Sequence, residues 1–374
     1  MPTSAIESGG PASEDAVRTA NQSIARASQR LAGGLRPSLA TAVILVLAAI
    51  AFSVWAIRYE GGATLFVARL IDGVTNGALY GLMALALVLV FKATRIINFA
   101  QGAMACVGAY LGYTFISQLG LSPVLGILAA IVASAIGAAA IERVFVRPFD
   151  PSNHIGIIMV TLAWFLILDQ GVSVVYGLQS KGLPSPFPDN PRDYVTVFGA
   201  QLRYFDIGTI VTVLVVAALI GLLLRFTRFG LAFRAVASNL GSSRLVGIEI
   251  GRVVQVSWVL AAAVGTLAGC LFAAQTNLTP GFMDNILIYA FTAAALGGLD
   301  SLGGSIIGGL ILGFIDSMIG GYVPQIGSGL SLGATFAVVV IALYLKPSGL
   351  RGRVQAERVL ARCSSFPRTA AAGA

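Results

Sequence analysis

Charge is what this chain has least of. Only 11% of its 374 residues are Asp, Glu, Lys or Arg, against roughly a quarter in soluble domains. That excludes a string of ordinary globular domains. Lysine is rarer still: the three present, Lys92, Lys181 and Lys346, lie outside any G-x-x-x-x-G-K-[ST] phosphate loop, so no nucleotide-binding motif is found. The single histidine, His154, excludes a multi-His metal site. Three cysteines give no disulfide framework; Cys106 and Cys270 lie in apolar runs and Cys363 near the C-terminus, so they read as small packing residues. No Ser/His/Asp or Cys/His set is placed for catalysis. The expectation is therefore a non-enzyme, with no catalytic residue, metal or cofactor.

What is present is apolar. Hydrophobic residues make up 57% of the chain, and mean hydropathy is +0.87. This predicts one all-α, polytopic transmembrane bundle with short polar ends. Residues 1–38, rich in Ser, Ala, Gly and Arg, read as a disordered cytoplasmic tail. Leu39–Ile57 is long enough to cross, since about 20 residues span a bilayer. The long preceding tail and the absence of an obvious cleavage site favour an uncleaved anchor over a signal peptide. Further spans are expected at about 70–91, 101–117, 122–141, 155–176, 207–225 and 253–274. The stretch 283–321 divides at Gly297–Gly304 into two short segments, 283–297 and 305–321. A last span at about 330–345 ends at Lys346-Pro347, leaving 346–374 as a cytoplasmic tail within a permease domain of 39–345. The total is ten crossings. With both termini cytoplasmic, nineteen of the 24 basic residues fall on the inside and five outside, as the positive-inside rule requires. The basic balance thus reflects membrane insertion, and no nucleic-acid partner is implied.

Two polar interruptions stand out. Asn98 and Gln101, followed by Gly102, lie between long apolar runs, where hydrocarbon offers amides no water. Three apart, they would share one helix face. The second interruption holds Gly297, Gly298, Asp300, Gly303 and Gly304, and broken helices at membrane depth are tolerated where they line a cavity or are buried in protein. Asn98 and Gln101 are the leading substrate-pathway candidates, with Asn76 and Asp300 as weaker members. Small-residue ladders at Gly77/Gly81, Gly265/Gly269, Gly304/Gly308 and Gly309/Gly313 predict close helix contacts. The inside loop Arg225–Arg252 carries five arginines against Glu249 alone and is longer than a simple connection needs. Its middle, Leu231–Leu240, is expected to form a helix with Leu231, Ala235 and Val236 on one side, a site for a partner protein. Glu142 and Asp150 beside Arg143 and Arg147 read as surface pairs. The Pro-rich outside loop Gly177–Asp206 reads either as a cap or docking surface or as a solvated connection.

The motifs Asn76-Gly77-Ala78-Leu79-Tyr80-Gly81, Arg95-Ile96-Ile97-Asn98-Phe99-Ala100-Gln101-Gly102, Ile141-Glu142-Arg143, Arg234-Ala235-Val236-Ala237, Leu245-Val246-Gly247-Ile248, Ala295-Leu296-Gly297-Gly298-Leu299 and Lys346-Pro347-Ser348-Gly349-Leu350 occur in order over about 70–352. This region resembles the membrane permeases of branched-chain amino-acid ABC importers. The resemblance implies a bacterial inner-membrane permease subunit with a second homologous permease, two cytoplasmic ATP-binding subunits, an extracytoplasmic solute-binding protein and membrane lipid as partners. It assigns ATPase coupling to Arg234, Ala235, Gly241, Ser242, Ser243 and Gly247. The family often has His where this chain has Gln101, and an acidic residue with alanines where it has Gly241-Ser242-Ser243. Leucine, isoleucine and valine lead as substrates; related systems carry urea, short amides and other amino or organic acids. The competing class is a secondary transporter or channel working without ATPases, for which Asp169 and Asp316 are the intramembrane ionisable candidates.

Overall fold

The computed structural model describes residues 62–149, 154–188, 192–322, 333, 335–337 and 340. The N-terminal tail, the span at 39–57, most of the span at 330–345 and the C-terminal tail lie outside the described residues. All described residues belong to one unit, Gly61–Ala374.

Helix α1 (Gly62–Thr94) is followed by α2 (Gln101–Tyr113). At about 1.5 Å per residue, the 33 residues of α1 extend about 50 Å, more than the roughly 30 Å hydrocarbon core. A π-helical turn, Thr114–Gln118, extends α2. Helix α3 (Pro123–Ile141) starts on Pro123, where the missing N–H is harmless, and runs into a second π-helical turn, Glu142–Val146. Next come α4 (His154–Tyr176), α5 (Tyr204–Phe226), α6 (Arg228–Ser238), α7 (Leu240–Leu245), α8 (Ile250–Gln275), α9 (Phe282–Gly297) and α10 (Leu302–Tyr322). Among the described residues, six helices are long and apolar enough to cross a membrane, with α9 a shorter apolar helix. The chain is an all-α, multi-pass membrane protein.

Helices α1 and α8 form the centre, and α3, α4 and α5 the rim. Apolar surface gains nothing by leaving lipid for protein, so helix association there relies on close packing. The α1–α10 contact shows how. A Cβ on Gly77 would lie 2.8 Å from Gly309 O, and one on Gly313 would lie 2.3 Å from Gly77 Cα. The two backbones touch along the glycine ladder. Helices α2 and α8 run parallel, with Gly269 against Ala105 O.

Polar caps fix the ends. Ser301 Oγ accepts from Gly304 N at 3.0 Å, starting α10 three residues before the expected segment. Thr227 accepts from Gly230 N, and Asn239 from Ser242 N, each at 3.0 Å, opening α6 and α7. The Pro-rich loop contains an unanticipated antiparallel hairpin, β1 (Tyr194–Val197) with β2 (Ala200–Arg203), pairing Tyr194 with Arg203 and Val197 with Ala200. Its turn, Phe198-Gly199, has positive φ at both positions (50° and 83°), the geometry that matches strand twist. Lys181 pairs its backbone with Leu278, tying this loop to the α8–α9 connection.

Candidate pathway and coupling site

The segment between α1 and α2 turns back into the bundle. The Gln101 side chain reaches Ala261, in the middle of α8, and Asn98, Ala100 and Gln101 are all buried. The reversal passes through Arg95, a non-glycine residue at φ 60°. That conformation typically costs about 1–2 kcal/mol in an L-residue, and the contacts of Arg95 offset it. Its guanidinium forms an ion pair with Asp300 Oδ1 at 2.5 Å and donates to the Ala237 carbonyl. One side chain therefore joins the end of α1, the break between α9 and α10, and α6.

Asn98 lies in the returning segment and not on α2, so the expected shared helix face does not exist. A direct bond joins the two amides instead: Asn98 Nδ2 donates to Gln101 Oε1 at 3.3 Å, and Asn98 Oδ1 accepts from Ala100 N at 3.1 Å. Gln101 Nε2 donates to Ala261 O at 3.0 Å. Both residues are enclosed, at 1% and 0% exposure, while Phe99 between them is 38% exposed. The amides act as struts that hold the re-entrant segment against α8. Asp300, paired with Arg95, lies apart from them. Asn76 accepts from Gln275 Nε2 at 3.1 Å, linking α1 to the end of α8.

The glycines expected to break helices divide into distinct roles. Gly298, at φ 98°, ends α9 and is the conformational break. Gly297 and Gly304 permit close approach, because a Cβ on Gly297 would lie 2.0 Å from Gly304 O. Gly303 and Gly304 lie within α10, and Gly102 is the second residue of α2, packed on Leu287. These three do not interrupt a helix.

A polar cluster gives Asp316 its partners. Tyr289 and Tyr80 hydroxyls donate to its two oxygens at 2.8 and 3.3 Å, and Thr335 donates at 3.3 Å. Tyr80 stacks on Tyr289 at 4.5 Å and on Phe272 at 5.8 Å. Sequence spacing showed no basic partner for Asp316 because its partners are hydroxyls from distant elements.

At the basic end, α6 and α7 form the two arms of the long loop. The buried side of α6 is Gly230, Phe233, Val236 and Ala237. Leu231 points away from it, 64% exposed, which corrects the expected Leu231/Val236 face; five residues apart, they are about 140° apart around a helix. Leu245, the last residue of α7, and Val246 just after it are 90% and 74% exposed. Arg234 bonds to Gly230 O and Arg225 O, bracing α6 on the end of α5. Ala235 lies beside the buried side, Gly241 and Ser242 are exposed, and Ser243 is buried with its hydroxyl on Asn239 O at 2.8 Å. Gly247 has φ 79° and open space where a Cβ would project, so the backbone conformation, and not crowding, selects glycine there. Glu142 is the other correction. It is 1% exposed with Oε2 unpartnered, whereas Arg147 faces Glu249 at 3.6 Å, so the expected surface pairing of Glu142 is not formed.

A helical bundle with re-entrant and broken segments, polar struts in its interior and a structured basic loop defines a membrane-transport class of protein. The chain belongs to a particular family within it: residues 69–345 match the permease component of branched-chain amino acid transport systems. It is 31% identical over 307 residues to the high-affinity branched-chain amino acid permease LivH of Escherichia coli K12, covering 79% of this chain and 98% of that protein. Identity to BraD of Pseudomonas aeruginosa is 30% over 304 residues, with the same coverages. Identity to a probable LivH of Methanocaldococcus jannaschii is 32% over 283 residues, covering 72% and 88%.

Proposed function

We propose that this chain is the membrane-spanning subunit of an ATP-driven importer for branched-chain or related amino acids. It works with a second permease, two cytoplasmic ATPases and an extracytoplasmic binding protein in a bacterial inner membrane. Both termini and the basic end face the cytoplasm. The observation that carries this reading is the two-armed basic loop of a family permease. It turns Leu231, Leu245 and Val246 outward while Ala237 on its inner side is bound by Arg95. ATPase subunits docked on the outward residues can act on the re-entrant segment and on the α9–α10 break through that arginine. ATP shifts the pathway only if the ATPases bind its inward- and outward-open states with different affinity.

The substrate route runs past Phe99, with Asn98 and Gln101 shaping the segment and Asn76 bordering the route further along α1. Asp300 acts on coupling through Arg95. Gly247→Trp tests the docking role. The substitution strains a left-handed turn without a steric clash and places a bulky side chain on the docking face. In proteoliposomes holding the full complex, uptake should fall while ATP hydrolysis continues and the protein remains monodisperse. Normal leucine uptake at normal expression would overturn the docking role.

A further inference from the structure

At the basic end, a cavity of about 270 Å³ opens between the end of α1, the Glu142 turn, α4, α7 and α8. Its polar lining carries opposite charges. Glu142 presents a buried carboxylate whose Oε2 has no hydrogen-bond partner. Arg147 and Arg244 line the same space. Arg147 is turned partly toward Glu249, and the exposed Arg244 holds Gly247 N through its backbone carbonyl and leaves its guanidinium without a hydrogen bond or ion pair among the described residues. Ile157, Leu240 and Val254 supply an apolar wall. Buried polar atoms are nearly always satisfied, so the orphan carboxylate oxygen of Glu142, in a cavity also lined by two arginines, requires an explanation.

We infer that this cavity binds a free α-amino acid with an apolar side chain, and that it reports product concentration to the coupling loop. The α-ammonium group donates to Glu142, the α-carboxylate accepts from Arg244 with support from Arg147, and the side chain rests on the apolar wall. An anion alone would face Glu142, and a cation alone would face two guanidinium groups. A zwitterion satisfies both. The volume lies just below the roughly 300 Å³ at which pockets for drug-sized ligands begin, which suits an amino acid.

The location gives the site a consequence. Leu240 and Arg244 belong to α7, the second arm of the loop, whereas Glu142, Ile157 and Val254 belong to the bundle. A bound molecule cross-links the two and favours whichever state keeps the cavity formed. We take the cavity to belong to a resting state that must open for turnover, so rising internal amino acid slows uptake. This inference rests on the proposed orientation and substrate class.

The test has two arms. First, the purified full-length permease in lipid nanodiscs is titrated with leucine, with isoamylamine and with 4-methylpentanoate, each analogue lacking one charge. Leucine should bind and both analogues should fail. Arg244→Ala and the near-isosteric Glu142→Gln should each weaken leucine binding about tenfold or more, the scale of a lost charge-assisted hydrogen bond. Second, proteoliposomes with the complete transporter are preloaded with leucine, and initial uptake is expressed relative to the same variant without preloading. Preloading should slow the wild type and leave this ratio near unity in both variants. If both variants bind leucine and respond to preloading as the wild type does, the amino acid acts elsewhere and the site is overturned. The same holds if leucine does not bind and preloading has no effect while uptake is normal. If the assembled transporter carries no amino acid but the nanodisc titration succeeds, the proposed function fails and the site stands.

Discussion

Helices α1 and α4 have nearly the same hydropathy and opposite fates. The two are about equally apolar, yet α1 is 83% buried over its apolar stretch and α4 only 17%. In water such a contrast would be untenable, because exposed apolar surface costs roughly 25 cal/mol per Å². In lipid that driving force is absent, so hydropathy marks both helices as membrane-embedded and says nothing about which is central. The glycines of α1 mark where another helix can come close. Helix α1 meets α10 through Gly73, Gly77, Gly309 and Gly313, and the backbones come within reach. Helix α4 turns Ile155, Met159, Leu166, Ile167, Val174 and Val175 outward. On α4 the large aliphatic residues face outward, whereas on α1 leucines such as Leu79, Leu82 and Leu89 are buried and glycines make the contact with α10.

The strongest way to break that comparison is Gly313→Leu. Overpacking typically costs about 1–3 kcal/mol and sometimes more, and here even the first added carbon would lie 2.3 Å from Gly77. The monodisperse peak in fluorescence-detected size-exclusion chromatography should be lost. Leu166→Ala on the rim should keep it, and equal losses for the two would show that centre and rim do not differ.

Gln101→Leu sharpens the comparison within the centre. It removes the bond to Ala261 O and leaves Asn98 without its partner. Interhelical amide bonds in membranes are worth about 0.6–2 kcal/mol, so the Tm in detergent should fall by a few degrees. Reduced uptake with an unchanged Tm would instead mean that Gln101 contacts substrate and is not a strut.

The smallest stability effect is expected at Asp300→Asn. Both partners of the Arg95–Asp300 pair are about one-third exposed, at 35% and 32%, and pairs this accessible usually contribute about 0–1 kcal/mol. Thermal stability should barely change, while the ratio of uptake to ATP hydrolysis falls. An unchanged ratio would show that Arg95 does not connect the loop to the helix break.

Much of the architecture was legible from one-dimensional signals. Apolar runs located α2 through α5 and α8 within a few residues and α1 apart from its first eight, and the Gly-rich interruption separated α9 from α10. The long basic loop was recognisable as structured, although Leu231 and Val236, expected on one side of its helix, lie on different sides. Leu231 is apolar, and composition cannot show whether an apolar residue at a subunit edge faces its own bundle or a partner. The hairpin escaped because Phe198-Gly199 lacks the Asn-Gly or Asp-Gly pair that usually announces such a turn.

The chain's own order of residues determined that it crosses a membrane many times, where its helices break, and which end is basic. Those properties depend on neighbours in sequence: run length, glycine propensity and the side on which arginines accumulate. Only the tertiary structure decided that Asn98 stands outside the helix it was expected to join, that Asp300 answers Arg95 across 205 residues, and that Glu142 is buried facing a cavity. Each depends on a partner brought close by helix packing, and no local pattern of residues encodes which distant side chain that will be.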